Sequence, residues 1–174
     1  MQKYQLKNIF LHCSDSIFGD VLVIDQWHKQ RGWRTIGYHY VVLNGRPYRD
    51  GKYIDFLDGQ IQPGHALSAD PIFQEFEVGV HVAGRNSSSL GICLIGTTEF
   101  TDAQLLASRR LILSLVKRFQ LRLEDVKGHY EDANANKTCP NIPMEYYRGF
   151  LQDAVALCEL QQHIQRHVIA LHLA

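Results

Sequence analysis

The stretch from Val126 to Pro140, VKGHYEDANANKTCP, constrains this chain more than any other part of it. It places a histidine, a lysine and a cysteine within eleven residues. Nine residues separate His129 from Cys139, so a loop can carry an imidazole and a thiolate to one ion. Lys137, two positions before the cysteine, projects to the same side where that segment is extended. Read in this way, the stretch is two-thirds of a zinc site. No other histidine or cysteine lies nearby, so the fold has to bring the third ligand from a distant segment. The best placed is His12 in NIFLHCSDS, at the end of an apolar run that reads as a buried strand. A His, His, Cys set leaves one position of a tetrahedral Zn²⁺ open to water, the arrangement of catalytic zinc. Taken alone, His12 reads more readily as a histidine satisfied in the core. Cys13, next to it, is expected on the opposite strand face as a small buried residue.

At 174 residues the chain is one domain of ordinary size, able to bury a core without disulfides or a structural metal. A metal is therefore expected to be functional. Eighteen basic and eighteen acidic side chains cancel, which gives no support to a nucleic-acid partner or an anionic membrane surface. The cysteines Cys13, Cys93, Cys139 and Cys158 form no CxxC pair, and MQKYQLKNIF lacks the apolar core of a signal peptide. The expectation is synthesis in a reducing cytoplasm with free thiols. No run of eighteen apolar residues occurs, so no membrane insertion is expected.

Strand and helix signals alternate along the chain, predicting a mixed α/β domain: a central mixed sheet flanked by helices. Asp20 to Arg31 reads as a helix with a capping aspartate, apolar Val21, Ile24 and Trp27, and a stop at Gly32. GYHYVVLNGRPYRDG alternates and then turns at Asn44-Gly45, which predicts a hairpin. The pattern dissolves between Gly51 and Gly79, a connection long enough to be expected beside a functional cleft. His81 is expected to end a short strand, Gly84 to Ser89 to form a loop, and Leu90 to Ile95 to be a central strand. Thr101 with Gln104 forms a capping box ahead of a helix with a stripe of Leu105, Ile112, Leu115, Val116 and Phe119. From Met144 onward the chain reads as helical, with Tyr147, Phe150, Leu151, Ala154, Val155 and Cys158 on one face. Beyond Gln161 the stripe drifts to Ile164, Val168 and Leu171, which predicts a kinked or separate helix able to contact a partner. His163 and His167, four apart, read as solvated histidines in the absence of a third ligand.

In order, IFLHCS, GWRTIGYHYVV, HVAGRNSSSLGICLIG and GHYEDANANKTCP resemble the zinc-dependent type 2 N-acetylmuramoyl-L-alanine amidases across residues 8 to 150. The chain looks most like the small phage lysozymes of that group, which are amidases, and the fold is shared with peptidoglycan recognition proteins. The resemblance implies that His12, His129 and Cys139 ligate one Zn²⁺ in a surface cleft, that Tyr38 and Lys137 assist the reaction, and that peptidoglycan is the substrate. In recognition proteins of this fold, catalytic members have the cysteine and purely binding members tend to carry serine there, so Cys139 argues for an enzyme. The alternative is a non-catalytic module that holds muropeptide stems. His81 and Asn86 are expected to line the substrate cleft, with His39 beside them or supporting the site from behind. Read from the residues alone, Tyr38 is equally a strand aromatic and Lys137 equally a solvated loop charge. The resemblance implies an amidase domain over 1–150 and leaves 151–174 as a C-terminal helical extension available for oligomer or partner contact. A lysis enzyme of a phage or prophage, acting on the wall after release, is the expected role, and a delivered effector is the other.

Overall fold

A computed structural model describes residues 2–172, without the side chains of 164 and 166–172. Two compact units are formed, one ending at Ile142 and one beginning at Pro143. The larger unit is built on a five-stranded sheet. Its strands are β2 (Asn8–Cys13), β3 (Tyr40–Asn44), β4 (Asp58–Pro63), β6 (Ser89–Leu94) and β7 (Val126–Gly128). They are ordered β4-β3-β6-β2-β7, and only the edge strand β4 runs antiparallel to its neighbour. A separate ribbon pairs β1 (Lys3–Tyr4) with β5 (Phe73–Gln74). This is the expected mixed α/β architecture.

The inner strands read as near-continuous apolar runs because both of their faces are covered. Every residue of β6 is buried, as are the last five of β2. Helix α1 (Val21–Gln30) starts where the Asp20 carboxylate accepts the Val23 N–H at 2.9 Å. Its Ile24 packs with Ile36, Val41, Leu43 and Ile95, and Trp27 and Tyr38 close over the same cluster.

Helix α2 (Asp102–Phe119) carries the predicted capping box, with Thr101 and Gln104 bonded reciprocally. Its buried stripe differs from the expected one. Ile112 and Leu115 are buried, whereas Leu105, Val116 and Phe119 are half-buried and the stripe begins with the polar residues Gln104 and Ser108. Gln104 is inside because Nε2 donates to the carbonyls of Val42 (3.0 Å) and Ile95 (2.8 Å), tying the helix to the ends of two strands.

Three further expectations are corrected. The chain does turn at Asn44-Gly45, where Gly45 has φ +75°, but RPYRDG does not return as a strand. The partner is β4, thirteen residues on, and its pairing shifts register between Val42 and Asn44. The seemingly patternless 51–79 segment therefore contains two strands, β4 and β5. DGQIQP lacks a strong strand signature because it is a partly exposed edge. His81 lies in a bend, not at a strand end, since residues 79–88 form turns and a short 3₁₀ segment.

In the second unit, α3 runs from Met144 to His172 as one helix, in place of a kinked or separate pair. Of its predicted face, Tyr147 and Leu151 are buried, together with Met144, whereas Phe150, Val155 and Cys158 are exposed. The drifted stripe of Ile164, Val168 and Leu171, and the side chain of His167, lie outside the described residues; His163 is exposed. No helix among the described residues is long and apolar enough to cross a membrane.

Two buried histidines make stability depend on pH. His28 Nδ1 accepts the Gly37 N–H at 3.0 Å, and His39 Nδ1 accepts the Gly91 N–H at 2.9 Å, so protonation there breaks a buried backbone bond. Burial lowers each from 6.5 to about 4. Between those values the unfolded chain binds protons that the folded chain refuses. Their contribution to stability is therefore full above about pH 6.5 and is lost as pH falls to about 4.

His28→Asn keeps an acceptor near the Nδ1 position without a titrating ring, so its urea midpoint should fall less steeply than that of the wild type between pH 6.5 and 4. Parallel curves would refute the assignment. Gln104→Leu strips two buried carbonyls of a partner and is expected to cost about 1–3 kcal/mol in urea unfolding. An unchanged midpoint would show that the amide ties carry no stability.

Candidate metal centre

Parallel pairing of β2 with β7 sets Leu11 opposite Gly128. Neighbouring strands stand about 4.8 Å apart, and residues in register carry their side chains on the same face. The next residue on each chain, His12 and His129, therefore emerge side by side, with ring centroids 4.7 Å apart. Cys139 is returned to them by its loop, where the Tyr130 N–H donates to the Cys139 carbonyl at 2.9 Å. Its Sγ accepts the Cys13 N–H at 3.3 Å and lies 3.8 Å from His12 Nδ1. One donor atom from each of His12, His129 and Cys139 lies within 4.8 Å of the other two. Two imidazole nitrogens and a sulfur gathered this closely are the donor set that zinc takes, with one tetrahedral position left over.

The electrostatics of the two histidines suit ligation. Burial, then His81, His129 and Lys137, hold His12 well below its ordinary value. Burial and then Lys137 lower His129. Both rings are thus neutral, the state in which imidazole binds a metal. The two neighbouring thiols compete for a proton. Their mutual hydrogen bond lowers Cys13 to about 7 and, together with burial, raises Cys139. Cys13 is buried as expected, and it also meets Cys139. β2 ends there, and the loop bearing Cys139 and Asn141 closes over that end, with Asn141 Nδ2 donating to the Thr97 carbonyl at 2.8 Å.

Tyr38 packs its ring 5.0 Å from that of His12. Burial, then the three nearby thiols, push its hydroxyl well above 10, so it is a neutral phenol with a proton to donate. Lys137 is exposed on the rim of a cleft of about 360 Å³, together with Trp33, His81, Asn86, His129 and Asn134. Segment 51–79, expected beside the cleft, contributes nothing to it, because β4 and β5 fasten that segment to other edges of the fold.

His81 and Asn86 line the cleft, and they and His39 also hold bonds within the protein. Asn86 Oδ1 accepts the N–H groups of both His81 (2.9 Å) and Val82 (3.0 Å), which clamps that bend. His81 is only 8% exposed, with its Nδ1 3.2 Å from His12 Nε2 and its Nε2 3.3 Å from the Ser89 carbonyl. His39 is buried behind it, donating from Nε2 to the Glu77 carbonyl at 2.8 Å, with ring centroids 5.7 Å apart. Sequence reasoning missed Arg85 and Asp132, whose ion pair at 2.8 Å joins the bend to the ligand loop, and Trp33 on the cleft wall. Opposite charges 47 positions apart carry no local signal.

Comparison with known proteins places this geometry. The endolysin of Klebsiella phage KP32 is 30% identical over 155 residues, spanning 83% of this chain and 86% of that protein. The endolysin of Escherichia phage T7 is 29% identical with the same coverage. Among solved structures, the N-acetylmuramoyl-L-alanine amidase LysC from Clostridium intestinale URNW superposes with a TM-score of 0.66 at 24% identity, covering 87% of this chain and 91% of that one. Wild-type Drosophila PGRP-LB shares the fold more distantly, with a TM-score of 0.58, 21% identity and coverage of 79% and 75%. Residues 2–142, which hold every strand of the sheet and all three clustered donors, match the N-acetylmuramoyl-L-alanine amidase family, and the chain belongs to it.

Proposed function

We propose that this amidase is a zinc enzyme that cleaves peptidoglycan at the amide between the lactyl group of N-acetylmuramic acid and L-alanine. The observation that carries the reading is the convergence of His12, His129 and Cys139 at the carboxyl ends of parallel strands, beside a cleft. These three residues would hold one zinc ion. Bound there, zinc supplies Lewis acidity and makes water a nucleophile at neutral pH.

The remaining work falls to side chains. As water adds to the amide carbon, the carbonyl oxygen gains negative charge. Lys137, the cation whose field already lowers both His12 and His129, offsets that charge from the cleft rim. Tyr38, held neutral by burial, donates a hydrogen bond to the attacking water or to the same oxygen. Trp33 and Asn134 on the wall offer an aromatic face and an amide to the sugar and peptide of the substrate. The endolysin relatives support a lysis role in which the protein reaches the wall after release from the cell that makes it.

Digestion of purified peptidoglycan should yield new L-alanine amino ends without new reducing sugar ends, and a chelator should abolish them. Retention on the wall with no new ends would overturn the enzymatic reading and leave a binding module. Lys137→Ala is expected to keep its zinc and lose about 10²–10³-fold in kcat, the usual cost of removing one such donor. An unchanged rate would remove lysine from the mechanism.

A further inference from the structure

The ring of His81 makes two polar contacts that together dictate where its proton sits. Nε2 lies 3.3 Å from the Ser89 carbonyl oxygen, which can only accept. It also lies 3.5 Å from Ser89 Oγ, whose own hydrogen is committed to the Arg85 carbonyl at 2.9 Å, so the hydroxyl too faces His81 as an acceptor. Nε2 of His81 therefore carries the hydrogen, and Nδ1 presents a lone pair. That lone pair is 3.2 Å from His12 Nε2. His12 must then donate from Nε2, which strips Nδ1 of its hydrogen and leaves it as the ligating nitrogen, 3.8 Å from Cys139 Sγ.

Both the backbone and the ring of His81 are held for this purpose. Asn86 clamps the backbone at His81 and Val82. Gly91 lies against the ring, where a Cβ would come within 2.6 Å of it. With both ring nitrogens engaged and the residue 8% exposed, the His81 ring has no free nitrogen to offer a substrate.

We infer that His81 is a positioning residue, which fixes His12 in the Nε2–H tautomer through the Ser89–His81–His12 chain and so aims Nδ1 at the metal. A partner that orients a ligating histidine through its other nitrogen sets both tautomer and ring direction, and the ligand binds more tightly for it. This inference rests on the zinc reading above.

The test combines nitrogen-15 NMR of the histidine rings in the metal-free wild type at neutral pH with zinc affinity measured by competition against a chromophoric chelator. The spectra should show both His81 and His12 protonated on Nε2; a proton on His12 Nδ1 would overturn the inference without any variant being made. His81→Leu removes the acceptor and should weaken zinc about 10–100-fold, while His81→Asn, whose Oδ1 stands near the Nδ1 position, should remain within about threefold of wild type. Equal affinity of a folded H81L and the wild type would also overturn it. A wild type that binds no zinc at all is a different failure, since it sinks the proposed function and leaves the tautomer reading to the spectra.

Discussion

Everything at the centre depends on the pairing of β2 with a parallel strand on each side. Strand register is an all-or-none constraint: a slip of one residue would turn His12 to the other face of the sheet. With Leu11 opposite Gly128 and His12 opposite Cys93, the ligand-bearing face is set by backbone hydrogen bonds among buried strands. Apolar burial on both faces supplies the driving force that holds the register. The cluster of His12, His129 and Cys139 is thus a by-product of sheet formation at the carboxyl end of the strands, where open α/β sheets place their ligands.

Around that frame, several buried polar groups are tied to specific partners. Gln104 ties α2 to the ends of β3 and β6. Glu77 is fully buried, its carboxylate accepting the N–H groups of Ser68 and Gln74 while its carbonyl receives His39. Asp132 accepts the Asn134 N–H and pairs with Arg85, which shapes the loop between His129 and Cys139. The Asp132 bonds lie outside regular secondary structure, and they hold the bend and the loop that line the cleft. Buried polar groups left unpaired would cost more than the segments could recover by packing.

Burial is the largest cause that lowers five histidines of this region, His12, His28, His39, His81 and His129, below their ordinary value. His28, His39 and His81 are all lowered, to about 4, 4 and 3 respectively, with burial the largest cause in each. A neutral imidazole has one donor and one acceptor, so a row of such rings passes orientation from ring to ring. That property lets His81 carry geometry to His12, with His39 behind it in the supporting place that was one of its two expected positions.

Local chemistry, by itself, determined the helix caps at Asp20 and Thr101, the apolar inner strands and the pairing of His129 with Cys139 across one loop, because each depends on neighbours in sequence. It also pointed to His12, whose position at the end of an apolar run is a local property. Only the tertiary structure decided what depends on distant partners. The polar edge strand β4 gains its conformation from β3, thirteen residues away, and not from its own propensity. Cys13 is drawn into contact with Cys139 because a loop closes over the end of its strand. His81, Asn86 and Ser89 became a chain behind His12 only when β2 and β6 lay side by side, since a hydrogen bond between residues 69 positions apart leaves no periodicity to read.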